Sequence, residues 1–170
     1  MPDLTAYIDG QISRFQQELC DFLRIPSIST NPSHAGDVRE CAEWVADHLH
    51  SAGIEKSEVI ETDGHPIVLG EHRISDDVPT VLIYGHYDVQ PSEPDDLWTS
   101  PPFEPTVRDG RLFARGSVDD KGQVHIHLKA LEARLASNVD MPVNLKLVIE
   151  GEEEVGSKHL SAFLDKNTER

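Results

Sequence analysis

The 170-residue sequence predicts an α/β domain of three layers, α/β/α, built around a mixed sheet. Three observations predict it. Segments with helical periodicity alternate with short apolar runs of strand length. One run, Val81-Leu82-Ile83-Tyr84, has no polar interruption, the pattern of a central strand buried on both faces. An Asp-Gly pair between two short runs demands a hairpin, so part of the sheet structure must be antiparallel.

The first element reads as an amphipathic helix, with Leu4, Ile8, Ile12, Phe15, Leu19, Phe22 and Leu23 recurring at spacings of three or four. Pro26 ends it, and a polar loop follows through Ser33. A second helix begins near Asp37 with Val38, Cys41, Ala42, Val45 and Leu49 on one face, and Gly53 stands where a C′ residue would stop it. Strands are expected over Glu58 to Glu61, Ile67 to Glu71 and Thr80 to Tyr84. The loop from Pro91 to Pro105 is long for a compact domain, a length often tied to function, and Trp98 reads as its packing anchor. Thr106-Val107-Arg108 and Arg111-Leu112-Phe113-Ala114 flank Asp109-Gly110 as the hairpin. A helix over Lys121 to Leu135, a buried strand over Asn144 to Glu150, and a last helix capped by Ser157 complete the series.

Composition narrows the function. Hydrophobic residues make up 38% and Pro plus Gly number 22, which suits a folded domain rather than a disordered one. The formal net charge of −16 repels phosphate backbones and argues against nucleic acid as a partner. Cys20 and Cys41 form no disulfide framework, and Cys41 reads as a buried free thiol. No basic-then-apolar leader and no apolar run of about 20 residues is visible, so the expected setting is cytoplasmic, without a membrane partner.

Three clusters carry chemistry. His86 and Asp88, two apart in an extended segment, point to the same side just beyond a buried strand. A neutral imidazole is a good Zn²⁺ ligand and a carboxylate beside it orients the ring. Alone, the pair fits a structural His–Asp hydrogen bond equally well. Asp119 and Asp120 repel each other unless a cation neutralises one, and a carboxylate can bridge two metal ions about 3.5–4 Å apart. Alone, this cluster favours a helix N-cap plus a solvated acid. Glu152-Glu153-Glu154 would ordinarily be exposed charge, but here it ends a buried strand and at least one member should face the cleft. In that arrangement one glutamate binds metal and a neighbour serves as general base. His125 and His127 diverge on their helix and read as partly exposed. His34, His48, His50, His65, His72 and His159 have no suitable sequence neighbours and read as ordinary surface or packing histidines.

Taken in order, the clusters resemble a known family, the co-catalytic zinc peptidases and deacylases. It includes carnosinase-like dipeptidases, glutamate carboxypeptidase, aminoacylase, acetylornithine deacetylase and succinyl-diaminopimelate desuccinylase. The resemblance rests on Gly85-His86-Tyr87-Asp88-Val89-Gln90-Pro91, Arg115-Gly116-Ser117-Val118-Asp119-Asp120-Lys121-Gly122 and Glu150-Gly151-Glu152-Glu153-Glu154-Val155-Gly156-Ser157. Phe22 to Ser29 and Trp98 to Phe103 support it, and Val89-Gln90-Pro91 with the Trp98 loop is most similar to the dipeptidase branch.

The resemblance implies a phosphorylase/hydrolase-like catalytic fold and two divalent metal ions, zinc first, with Mn and Co as alternatives. His86 would bind the first ion, Asp119 would bridge, Glu154 would bind the second, Glu153 would be the general base, and Asp88 would hold the His86 ring. The Asp119–Asp120 peptide would be cis. The implied substrates are dipeptides or short peptides, or N-acyl amino acids for a deacylase. Residues 1–170 would form the N-terminal part of a catalytic domain. The inserted dimerisation domain, a further acidic ligand and a second histidine of the homodimeric parent would then lie outside it. On that expectation the isolated chain binds metal weakly and is an inactive fragment.

Overall fold

The computed structural model describes residues 3–169. Helix α1 (Leu4–Arg24) starts where Asp3 Oδ1 accepts the N–H groups of Thr5 and Ala6, satisfying two donors that the first turn leaves open. Helix α2 (Ala35–Ser51) buries Val38, Cys41, Ala42, Val45 and Leu49, the face that the spacing predicts. Gly53 follows with φ +96°, a left-handed conformation that ends the helix cheaply only for glycine.

Strands β1 (Lys56–Ile60), β2 (Ile67–His72) and β3 (Thr80–His86) come next, then the hairpin of β4 (Thr106–Arg108) and β5 (Arg111–Phe113). Asp109 and Gly110 both take positive φ, 50° and 73°, as a two-residue primed turn requires. Helix α3 (Lys121–Ala136), strand β6 (Asn144–Glu150) and helix α4 (Leu160–Lys166) finish the chain.

The main sheet runs β1-β2-β6-β3, with β1, β2 and β6 antiparallel and β6 parallel to β3. The sheet is therefore mixed, as expected, and the hairpin forms a separate two-stranded sheet. Alternation along the strands sorts the core. Val68, Leu145, Leu147 and Ile149 face α2 and α3 beside Phe22, Val45, Leu49, Val124 and Leu128. Ile67, Leu69 and Val148 face the other way, against Phe163 of α4. Helices on both faces make three layers, and each fully buried aliphatic side chain stabilises them by about 1.5–3 kcal/mol.

The structure corrects four local expectations. Strand β3 is an edge, not a buried centre: it pairs with β6 alone among the described residues, and Val81, Leu82 and Tyr84 are exposed. The short helix α4 covers β2 and β6 and stops short of it. Ser157 does not cap α4, which begins after His159; it has φ 50° and donates its hydroxyl to Glu150 Oε1 at 2.8 Å. Asp120 precedes α3 but makes no side-chain capping bond. His125 is buried rather than partly exposed, and burial with the nearby Lys129 charge drives its pKa down to about 4.

Candidate metal centre

Strands β3 and β6 are parallel neighbours, and their register places His86 opposite Glu150. The first and third clusters thus leave the sheet side by side at the carboxyl ends of two strands, where open α/β sheets gather their sites. The second cluster arrives from the hairpin side, at the start of α3.

His86 is buried, and its two ring nitrogens face different groups. Nδ1 lies 3.1 Å from the Asp88 carbonyl oxygen and 3.3 Å from Asp88 Oδ1. Nε2 lies 3.1 Å from Asp119 Oδ1 and 3.9 Å from Glu153 Oε2. Burial alone would lower the ring's pKa. The hydrogen bond and charge of Asp88, with the charge of Asp120, outweigh it and hold the pKa up to about 9.

Asp88 has no exposed surface. Its Oδ1 accepts the Glu153 N–H at 3.2 Å, and its Oδ2 accepts the Glu154 N–H at 3.1 Å and the Ser29 hydroxyl at 2.6 Å. One carboxylate therefore holds the His86 ring and the backbone of the turn after β6. That second task is invisible in the sequence, because its partners are main-chain groups 65 and 66 residues away.

The acidic pair divides its work. The Asp119–Asp120 peptide is cis. Asp120 Oδ2 accepts the His86 N–H at 3.2 Å, locking this loop to the end of β3, while Asp119 projects outward with its side chain 72% exposed. Gly122 is required here: a Cβ on it would lie 2.2 Å from the Ser117 carbonyl oxygen. Lys121 between them is fully buried, and its Nζ donates to the carbonyls of Phe22 and Ile25 at 3.0 and 2.7 Å. It satisfies carbonyl groups left open at the end of α1 and ties the acidic loop to that helix. A buried lysine is rare enough that composition gave no sign of this role.

The three glutamates after β6 separate in direction. Glu153 reaches towards His86, with its side chain 44% exposed. Glu154 Oε2 accepts Gln90 Nε2 at 2.7 Å, and Glu152 turns inward to His159, whose Nδ1 is 2.7 Å away. His159 and His34 thus each have a carboxylate partner, Glu152 and Asp37, where the sequence reading gave them no suitable neighbour. Trp98 donates Nε1–H to the Ser92 carbonyl at 2.9 Å, consistent with an anchor of its loop.

Of the sequence-predicted site residues, the structure brings together His86, Asp88, Asp119 and Glu153. Glu154 joins through its backbone, while its side chain lies on Gln90. The donors suit a divalent metal: an imidazole nitrogen, with the opposite one occupied, meets carboxylate oxygens in a setting that already favours positive charge on His86. The set is partial, since among the described residues no three His, Cys, Asp or Glu side chains stand ready as a metal cluster.

The chain is 36% identical to the cysteinylglycine-S-conjugate dipeptidase of Corynebacterium striatum, over 92% of this chain and 34% of that protein. It is 36% identical to the β-Ala-His dipeptidase of Mus musculus, over 91% of this chain and 34% of that one. The structure of human carnosine dipeptidase 1 superposes with a TM-score of 0.90 at 32% identity, covering 98% of this chain and 38% of that chain. The chain thus spans about a third of the length of the curated relatives it matches. Residues 82–169, more than half of the chain and all of the strand ends and loops just described, match the sequence profile of Peptidase family M20/M25/M40, and the chain belongs to that family.

Proposed function

We propose that the chain forms part of the active centre of a metal-dependent hydrolase that cleaves the amide bond of dipeptides. The observation that carries this reading is the meeting of His86 Nε2 with Asp119 Oδ1 and Glu153 Oε2, while Nδ1 is held by Asp88. His86 and Asp119 would hold one divalent ion, Asp119 and Glu154 a second, with zinc the metal that imidazole and carboxylate donors suit well. When bound, such ions supply Lewis acidity towards water and the scissile carbonyl.

The chain's own residues do the rest. Asp88 fixes the ring so that Nε2 faces the site. Glu153 Oε2 takes a proton from the attacking water and returns it to the nitrogen of the leaving amine. Glu153 is suited to this because it is open to solvent yet anchored by its own N–H on Asp88. The names of the relatives point to cysteinylglycine and β-alanylhistidine as first substrates. We place the protein in the cytoplasm, where the free thiols of Cys20 and Cys41 stay reduced.

Each ion has two protein donors here, fewer than the three or four of ordinary zinc sites, so weak binding and low turnover are expected of this chain alone. Calorimetric titration with Zn²⁺ tests the site: His86→Ala and Asp119→Ala should each weaken binding at least about tenfold with the fold intact by circular dichroism. Unchanged affinity in both variants rejects it. On the same zinc-loaded samples, hydrolysis of the two dipeptides should fall about 10²–10⁴-fold in Glu153→Gln while zinc affinity holds. Near-normal turnover would remove Glu153 from its role.

A further inference from the structure

The turn after β6 carries Glu153 and Glu154, and it is clamped at two places. Asp88 holds their N–H groups from below. Residue 152 holds the base of the turn: its carbonyl accepts the N–H of Val155 at 3.2 Å and of Ser157 at 2.8 Å. Where residue 152 sits therefore decides where Glu153 and Glu154 point.

Glu152 is itself fixed through its side chain. It is 7% exposed, and a buried carboxylate needs a partner. His159 supplies one from the residue before α4, with Nδ1 2.7 Å from Glu152 Oε2. The loop between β1 and β2 closes over the pair at Gly64, where a Cβ would lie 2.0 Å from Glu152 Oε1 and 2.5 Å from His159 Nδ1. Only a residue without a side chain lets that backbone come so near. The ring also borders a cavity of about 300 Å³ lined by Thr62, Asp63, Phe163 and Lys166, so it can be replaced without emptying the core.

We infer that His159 is a positioning residue of the metal centre, acting through Glu152 to hold the turn that presents Glu153 and Glu154. This rests on the reading that those two glutamates serve the centre. A bond between the buried carboxylate and Nδ1 keeps residue 152 in place, and the turn's two backbone bonds depend on it. Loss of the pair frees the base of the turn while Asp88 still holds its middle. The glutamates then remain nearby but lose their aim.

The test uses the 170-residue chain with His159→Ala, His159→Asn and Glu152→Ala, and three readouts: amide exchange, Zn²⁺ calorimetry and urea unfolding. Asparagine matters because its amide nitrogen can stand in for Nδ1 as donor. In His159→Ala, exchange at residues 153–157 is expected to rise at least about tenfold, and zinc affinity to fall about 10–100-fold, as for lost supporting contacts at metal sites. The urea midpoint should move little, His159→Asn should restore both losses, and Glu152→Ala, which removes the acceptor, should show the same losses as His159→Ala. Parental exchange at 153–157 in His159→Ala overturns the proposal, as does an asparagine variant no better than alanine. A parental chain that takes up no zinc would instead overturn the metal-centre reading, and exchange at 153–157 would then decide the positioning role alone.

Discussion

Asparagine in place of Asp88 tests whether one carboxylate joins the two halves of the centre. Oδ1 accepts the Glu153 N–H at 3.2 Å, and Oδ2 accepts the Glu154 N–H at 3.1 Å and the Ser29 hydroxyl at 2.6 Å. Asparagine has the same shape but keeps one oxygen. Whichever way its amide turns, an NH₂ group then faces a backbone N–H, and one of the two donors is orphaned where nothing is exposed to water. A buried donor left unpaired costs about 1–3 kcal/mol, and the surviving bond loses its charge assistance. The sum is about 2–3 kcal/mol, which for a domain of this size lowers Tm by roughly 4–12 °C. Urea unfolding measures the loss, and amide exchange locates it, because the amide of Glu153 or Glu154 should lose protection while the strands keep theirs. Ser29→Ala removes a single hydroxyl donor and leaves both backbone acceptors intact, so it should cost about 1 kcal/mol. An Asp88→Asn variant with a parental midpoint and slow exchange at both amides would refute the argument, since the turn would then be held by other contacts.

Three further outcomes follow from the geometry. Burial alone would raise the Glu132 pKa, but hydrogen bonds from Arg14 and Lys129 outweigh it and hold the carboxyl at about 2, against an ordinary 4.5. A depressed pKa contributes stability that is complete above the unfolded value and is lost as pH falls through the folded one. Glu132→Gln should therefore be about 1–3 kcal/mol less stable at pH 7, with the gap closing between about pH 4.5 and 2; a pH-independent gap in Tm would contradict the linkage. Gly122→Ala places a Cβ 2.2 Å from a backbone oxygen, so a loss of at least about 2 kcal/mol in urea unfolding is expected, and a neutral result would mean that the acidic loop yields freely. Leu82→Lys puts a charge on β3, an edge strand among the described residues, where Leu82 is 58% exposed; the parental chain is expected to associate with rising concentration in sedimentation and the variant to do so less, with little change in Tm, whereas equal behaviour of the two would contradict the expectation.

Local signals were legible in the sequence, and long-range ones were not. The Asp109-Gly110 turn, the Gly53 stop and the buried face of α2 follow from backbone chemistry within a few residues, and all three appear. Strand β3 failed because an apolar run reports the demand for burial, not whether another element meets it. His125 failed because helical spacing tells which residues share a face and not which face a neighbouring helix covers. The acidic clusters were legible as a group because their position at strand ends was. Their individual directions were not, since Glu152 turns to His159, Glu153 to His86 and Glu154 to Gln90 through contacts made only in the folded chain.

Those directions show how the chain holds a charged site together. The groups that carry the geometry are buried: Asp88 under the turn, Lys121 on the carbonyls of α1, and Glu152 against His159. The groups that would meet metal and substrate, Asp119 and Glu153, project towards solvent from backbones that these anchors have already fixed. A buried polar group left without hydrogen-bond partners is costly, so each anchor is held where its partners are. An exposed carboxylate among others repels its neighbours and would swing away if its own rotamer were its sole restraint. Placing the restraint on the backbone, through Asp88 and Glu152, lets these carboxylates remain close together. The two carboxylates that face His86 therefore take their direction from backbone anchors rather than from each other.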